Sequence, residues 1–416
     1  MGVPTPFYSK IAPLCKSMRY KEWAGYFCPE KYDTVHDNEY HVFRQAAGVL
    51  DISPLYKYDV SGRDAERLLN RIMARDVTKL KVGQVAYVTW CEEDGKVIDD
   101  GTLARLEETY YRITSANPSL SWFVRHARKL DVKIVDRSQD IAALALQGPR
   151  SRAVLEELGV PGIGQLKFFH ATRGKVAGLD LTVTRTGYTG DLGYELWVEA
   201  AQAEPLWDAV FAAGQKHNIA PVGLLALDMT RVEAGFILID VDYTSSRHAL
   251  IDAQKSSPYE IGLGWTVHLD KAPFIGQEAL AREKQRGSDW AFVGLEIGWD
   301  ELEALYDAIG LPPHVPTQAW RSVIPLYEPK SGRQIGRATS GTWSPLLKKN
   351  LALATVQAEY AELDTRLHIE TMIEYDRKML PAVVSKKPFF DPPRKKSTIK
   401  AQPAASAPRL EPSATA

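Results

Sequence analysis

The sequence predicts a mixed α and β protein of two or three domains whose C-terminal part is built of strands. Three observations predict it. Stretches alternating apolar and polar residues recur between stretches with helical spacing through the first 290 residues. From Phe292 onward strand patterns take over, at 294–297, 323–327 and 334–341. And 416 residues, 45% of them hydrophobic, are enough for two or three domains with cores of their own.

The balance of charge narrows the function classes. The formal charge is −1 and the pI about 6.8, with no basic stripe, so a nucleic-acid partner is not expected, because neutralising phosphates requires clustered Lys and Arg. No run of 18 apolar residues exists and the N-terminus has no apolar signal core, so a cytoplasmic protein with no membrane partner is expected. Cys15, Cys28 and Cys91 lack CxxC spacing, which points to reduced, buried thiols and to no metal site.

Taken in order, an aromatic-rich segment at 23–29 precedes a helix over 36–47 ended by Gly48. A strand at 58–60 is followed by Ala65, Leu68, Leu69 and Ile72 at helical spacing. Val85, Tyr87 and Thr89 alternate with Ala86, Val88 and Trp90, so Tyr87 faces one side of a strand and Val88 the other. Glu93-Asp94-Gly95-Lys96 supplies a hairpin turn. The returning strand holds Asp99-Asp100, and a further strand over 110–114 leads to Asn117. Adjacent strand residues point to opposite faces, so only one of the two carboxylates can face a site. An Asp pair after a tight turn is equally consistent with turn capping. A strand at 144–147 runs into a helix over 151–158, and helices over 204–217 and 224–234 follow, the second stopped by Gly235 with Leu227 and Arg231 one turn apart on one face. The proline-bearing stretch 299–320 reads as a loop, and the Pro-, Ala-, Ser- and Lys-rich segment from Asp391 as a disordered tail.

The chain is organised around 185–197. Alternation on both sides of Gly187-Tyr188-Thr189-Gly190-Asp191-Leu192-Gly193 predicts a hairpin whose glycines allow close approach to the backbone, with Glu195 in the returning strand. A carboxylate there either accepts two neighbouring N–H groups of a flat ligand, as an acceptor-only fork, or is a solvated residue opposite a lysine.

Gly187-Tyr188-Thr189-Gly190, then Gly193-Tyr194-Glu195, resembles the signature hairpin of the glycine-cleavage T-protein (aminomethyltransferase) family. Gly48-Val49-Leu50-Asp51-Ile52-Ser53, Gln147-Gly148-Pro149, the Asp228/Arg231/Glu233/Gly235 helix, the junction around Trp265 and the run 382–389 are similar to the same family, in its order, over roughly residues 5–390. The resemblance implies an α+β, three-domain cloverleaf: two interleaved α/β folate-binding subdomains over 1–290 and a C-terminal β-barrel over 291–390, around a central cavity, followed by the tail 391–416. It implies an enzyme that passes a one-carbon unit to N5 of tetrahydrofolate, with Asp99 catalytic and Glu195, Tyr188, Tyr87, Leu55, Asn117, Arg231 and Trp265 around the folate. The partner implied is a lipoyl carrier protein or a small-molecule one-carbon donor.

The departures from the family pattern concern the donor. Pro54-Leu55 stands where the family has His-Met, Lys96 where it has a second glycine, and Leu227 where glycine-cleavage members carry an arginine that contacts the folate. A Tyr-Gly pair expected soon after Gly235 is replaced by Phe236-Ile237-Leu238-Ile239-Asp240. The Leu227 change is similar to the folate domains of sarcosine and dimethylglycine dehydrogenases. Three activities are therefore open: transfer from an aminomethyl-lipoyl carrier, demethylation of an N-, S- or O-methyl compound, or folate binding without catalysis. His41 and His170 have no Ser or carboxylate at triad spacing, which argues against a hydrolase.

Overall fold

A six-stranded sheet, a five-stranded sheet, a two-stranded hairpin and a closed barrel make up the fold, in a computed structural model that describes residues 2–398. The first sheet has six strands in the order Ala171–Val176, Leu179–Thr184, Gly193–Glu199, Ile141–Gln147, Ala47–Asp51 and Ile219–Pro221, antiparallel except for the last pair. Its period-two pattern sorts the side chains. Leu144, Leu146, Tyr194 and Leu196 pack with the helices Ser151–Glu157 and Ala203–Gly214, whereas Ala143, Ala145 and Trp197 turn to the other face, toward the helices Asp37–Gln45 and Leu224–Glu233.

Between the first-sheet strands ending at Asp51 and starting at Ile141, the chain builds the second sheet. Its order is Val85–Cys91, Val97–Glu107, Tyr110–Ser115, Tyr56–Ser61 and Lys133–Asp136, all antiparallel. Val88, Trp90, Leu103 and Ile113 pack with the helices Ala65–Ile72 and Leu120–His126. Each sheet thus has one face sealed by helices, and its other face carries residues that line a central cavity.

The barrel closes through Trp290–Ile297, Lys349–Gln357, Gln334–Ser344, Ile324–Tyr327, Arg366–Ile373 and Asp376–Ser385. Leu295, Leu326, Ile335, Leu367 and Ala382 fill its interior. The fold is the α+β cloverleaf with a C-terminal barrel that the sequence implied. Among the described residues no helix is long and apolar enough to cross a membrane, and the three cysteines are buried and unpaired.

Three local expectations are corrected. The stretch 299–320 opens with a helix, Trp299–Asp307, in which Leu302 and Tyr306, one turn apart, are buried against the barrel. Its prolines all lie beyond that helix and do not prevent it, and the helix ends on Gly310, at φ 73°, with the Leu311 N–H bonded back to the Tyr306 carbonyl at 3.1 Å. The helix expected to end at Gly48 ends at Gln45, and Gly48 lies inside the strand Ala47–Asp51, where a Cβ would meet the Phe43 ring at 2.5 Å. And residues 391–398 of the expected tail are packed: Arg394 makes two 2.7 Å bonds to Asp191, and the buried Arg185 guanidinium donates to the carbonyls of Arg394, Lys395 and Ser397 at 3.1, 2.9 and 2.7 Å. Composition averages over a stretch and misses that Arg394 and the carbonyls beside it find buried partners. Residues 399–416 lie outside the described residues.

The helix Leu224–Glu233 joins the lobes to the barrel through buried charge. Arg231 donates to Asp228 Oδ1 at 2.8 Å and to Asp242 Oδ2 at 2.6 Å, and through Nη2 to Ser340 Oγ at 2.7 Å. Asp242 Oδ1 accepts from Thr339 and Ser340 at 2.6 Å each, both on the barrel strand Gln334–Ser344. Glu233 is held by Arg44 and by the hydroxyls of Tyr40 and Ser344. Removing one partner of a buried pair leaves a desolvated charge, at a cost of about 3–5 kcal/mol. Arg231→Met is therefore expected to lower unfolding stability by about that amount, read from urea denaturation midpoints, and a loss below about 1 kcal/mol would show that the network does not hold the three parts together.

Candidate functional site

A cavity of about 300 Å³ lies where the open faces of the two sheets meet the helix Leu224–Glu233 and the segment after it. Sheet two contributes Tyr87, Asp100, Thr102 and Thr114. Sheet one contributes Ala145, Gln147 and Glu195, and the loop between its two hairpin strands contributes Thr186, Gly187 and Tyr188. Leu55, Ile52, Ile237, Leu238 and Ile239 make apolar wall, as do Leu224 and Leu227 beside Asp228 and Arg231.

The hairpin forms as its alternation predicts, with Thr184 paired to Glu195. The residue opposite Glu195 is thus a threonine and not a lysine. The only basic groups on the cavity wall are elsewhere, and among the described residues no cation lies within ion-pair distance of Glu195. Its Oε2 accepts a 3.3 Å bond from Thr184 Oγ1. Burial pushes its carboxyl above the usual range, and the hydroxyls of Thr186 and Thr184 work against that rise.

The glycines of this hairpin serve an unexpected neighbour. A Cβ on either Gly187 or Gly193 would lie 2.0 Å from Gln147 Oε1. The close approach is made by this side chain, which sits between the two strand ends, donates to the carbonyls of Thr186 and Tyr194 at 3.3 Å each and accepts from Thr189 Oγ1 at 3.1 Å. Gly190, at φ 76°, is the one of the three glycines in a left-handed conformation. The loop so held directs Tyr188 into the cavity, where its ring stacks on Phe236 at 5.5 Å and its hydroxyl donates to the Ile237 carbonyl.

The Asp99-Asp100 pair is resolved by register. Thr89 pairs with Asp100 and Tyr87 with Thr102, so Tyr87, Asp100 and Thr102 share the cavity face. Trp90 pairs with Asp99, which shares the face of Val88, Trp90 and Leu103. Asp99 is therefore corrected: it is fully buried away from the cavity, its oxygens accepting the backbone N–H groups of Asp100 at 2.8 Å and Asn117 at 2.9 Å. Burial, then the charge of Asp100, raises its carboxyl well above the usual range. Alternation along one strand says that the two carboxylates diverge, but only the pairing to Tyr87 says which one faces inward. A bulge between Trp90 and Cys91 sets that pairing.

Asp100 is gripped by two phenols, Tyr87 Oη on Oδ2 and Tyr243 Oη on Oδ1. Burial raises its carboxyl too, against the lowering effect of the Tyr243 and Tyr87 bonds.

Of the other residues singled out in the sequence, Leu55, Tyr87, Tyr188, Glu195 and Arg231 line the cavity. Arg231 does so with its guanidinium committed to Asp228 and Asp242. Asn117 and Trp265 are corrected. The Asn117 amide N–H serves Asp99 and its side chain donates to Asp240 Oδ2 at 3.1 Å. Trp265 is 57% exposed and reaches the site only through its ring, stacked on Tyr87 at 6.0 Å with Arg75 on it. Tyr243, Lys21 and Arg321 were not singled out: no pattern marks Tyr243, and Lys21 and Arg321 come from the first hairpin, Tyr20–Trp23 with Tyr26–Pro29, and from the end of the proline-rich stretch.

This architecture and its cavity define a class, and comparison with known proteins gives the family. The family model of the GCVT N-terminal domain matches residues 15–271, and that of the glycine cleavage T-protein C-terminal barrel domain matches residues 313–391. The chain belongs to the glycine-cleavage T-protein family. It is 34% identical over 375 residues to an aminomethyltransferase of Halalkalibacterium halodurans, covering 89% of this chain and 93% of that one. It is also 34% identical over 407 residues to a trimethylamine-oxide aldolase of Ruegeria pomeroyi, covering 94% of this chain but 47% of that longer protein. Among solved structures, the glycine cleavage system aminomethyltransferase T from Bartonella henselae superposes with a TM-score of 0.79 at 25% identity, over 94% of this chain and 99% of that one.

The Gln147 contact yields a test of the hairpin. Gly193→Ala is expected to destabilise the fold by about 1–3 kcal/mol through overpacking, and Gln147→Ala in the same chain to recover part of that loss in thermal melts. Additive losses in the double variant would mean that the glycine is required for something other than Gln147.

Proposed function

We propose that the cavity binds tetrahydrofolate and that the protein is a one-carbon transferase of the aminomethyltransferase type. The observation that carries this reading is Glu195, a half-buried carboxylate on a cavity wall with hydroxyls for partners and, among the described residues, no cation. A carboxylate so placed is costly unless a ligand brings N–H donors to it, and a reduced pterin edge offers two side by side. The apolar walls from Leu55, Ile237 and Ile239 fit a flat ring, and Tyr87 and Tyr188 add aromatic faces. When bound, the folate supplies the nucleophilic nitrogen, N5, that accepts the one-carbon unit.

The chain's own contribution is position and charge. Glu195 orients the ring by accepting its paired N–H groups. Asp100, with its two tyrosine hydroxyls, holds negative charge in a desolvated wall, where positive charge developing on the reacting nitrogen or the donor is stabilised most. Burial raises its affinity for a proton above that of an ordinary carboxylate, which suits a group that takes and returns one. Family membership supports a carrier-bound aminomethyl donor. A second reading, demethylation of a small methylated compound, is favoured by the apolar Leu227 on the cavity wall and by the match along 94% of the chain to a relative named for a methylated amine oxide.

Two predictions follow from these roles. Glu195→Gln turns one acceptor into a donor and is expected to weaken tetrahydrofolate binding roughly ten- to a hundredfold in calorimetry, since a charge-assisted bond contributes about 1.5–3 kcal/mol. Because the unliganded carboxyl binds its proton more tightly than usual and the ligand requires it ionised, wild-type affinity is expected to fall as pH drops through the raised pKa, by about tenfold per unit below it. Glu195→Gln is expected to show no such slope, and equal pH profiles would remove Glu195 from the binding site.

Asp100→Asn is expected to lower single-turnover rates about a hundredfold or more at saturating folate, with little change in folate affinity. Asp99→Asn is expected to act on the melting temperature and to leave turnover per folded molecule near wild type. The reverse pattern, a rate loss confined to Asp99→Asn, would return catalysis to Asp99.

A further inference from the structure

Two cations reach the cavity wall with donors unspent. Lys21 lies on the strand Tyr20–Trp23, and Arg321 follows Trp320, whose backbone is tied to Gly341 of the barrel by bonds of 2.8 and 3.0 Å. Arg321 Nε donates to Asp228 Oδ2 at 2.8 Å, on the far oxygen from the one that Arg231 uses. One carboxylate therefore serves two arginines. Among the described residues, the two terminal nitrogens of Arg321 and the Lys21 ammonium have no hydrogen-bond partner, although both side chains line the cavity. Both residues are exposed where they line the cavity, and desolvation and then the charge of Arg321 lower the proton affinity of Lys21. Asp228 and Glu30 offset part of that effect, and Glu30 is itself bound to Arg19 at 2.7 Å. Glu22, the remaining carboxylate on this part of the wall, is exposed and makes no ion pair among the described residues. Around the cations the wall is apolar, from Trp23, Leu224 and Leu227.

Like charges gathered beside an apolar wall, with donors facing the same space, are stabilised by an anion that bridges them. We propose that Lys21 and Arg321 form a carboxylate-binding subsite of the cavity, so that its ligand set combines a ring with paired N–H donors at Glu195 and a carboxylate at this pair. The inference rests on the cavity being the ligand site. The carboxylate has two possible sources, the glutamyl tail of a folate and the one-carbon donor.

Calorimetry separates them, using 5-formyltetrahydrofolate and the matching pteroyl amide, in which a neutral carboxamide replaces the glutamyl residue, and, as donor probes, N,N-dimethylglycine and trimethylamine, which has no carboxylate. The proteins are wild type, Lys21→Met, Arg321→Met, Arg321→Lys and, as a control, Glu22→Gln, each with its melting temperature measured. If the tail is the source, the two Met variants bind the folate about tenfold or more weakly, bind the pteroyl amide like wild type, and Arg321→Lys recovers part of the loss. If the donor is the source, both pterins bind all proteins alike, and N,N-dimethylglycine binding falls in the same variants while trimethylamine binding does not. Glu22→Gln is expected to bind as well as wild type or better. Affinities independent of both cations for every carboxylate probe, in folded variants, overturn the subsite. Should no protein bind either pterin, the folate reading fails, and the dimethylglycine comparison alone decides the subsite, with no dependence on the two cations counting against it.

Discussion

The structure depends on a buried guanidinium. Arg231 sits in a helix that borders both lobes and the barrel, and the carboxylates that neutralise it come from its own helix, at Asp228, and from the loop that follows, at Asp242. Asp242 then takes its remaining bonds from barrel hydroxyls. A charge in such surroundings is tolerated only while every partner is in place, so the relative placement of lobe and barrel becomes an all-or-none matter. The cavity is the space that this arrangement leaves, because the same helix presents Leu224 and Leu227 to it.

Several polar groups of the cavity wall are held by protein neighbours. Asp100 has both oxygens on phenols, Tyr188 spends its hydroxyl on a backbone carbonyl, and Gln147 is consumed in bracing the hairpin. Glu195 differs, since its hydroxyl partners leave lone pairs free. Low dielectric strengthens whatever hydrogen bond is offered to such a group.

The C-terminal segment takes part in this organisation. Arg185 and Asp191 flank the loop that carries Tyr188, and they are bound respectively to backbone carbonyls and to Arg394 of the last described turn. Phe390 adds a backbone bond to the Glu233 carbonyl and lies against the Arg44 guanidinium at 4.3 Å. Segments more than 200 residues apart in sequence therefore fasten the same loop.

Much was legible in the residues alone. Alternation around 187–193 specifies the hairpin, helical spacing specifies the helices that seal each sheet, and the order of short motifs identifies the family, because these signals are local and each is carried by a handful of neighbouring residues. What only the tertiary structure decided are the cross-strand facts. Asp100 and not Asp99 faces the cavity because a bulge sets the pairing to Tyr87, and the hairpin glycines make room for Gln147, forty residues away from Gly187. Lys21 and Arg321, 300 residues apart, both line the cavity, one from the first hairpin and the other from the segment that leads into the barrel. Period-two patterning fixes which residues alternate but is blind to the direction of the core, which depends on the partner strand, and it carries no trace of contacts between distant segments.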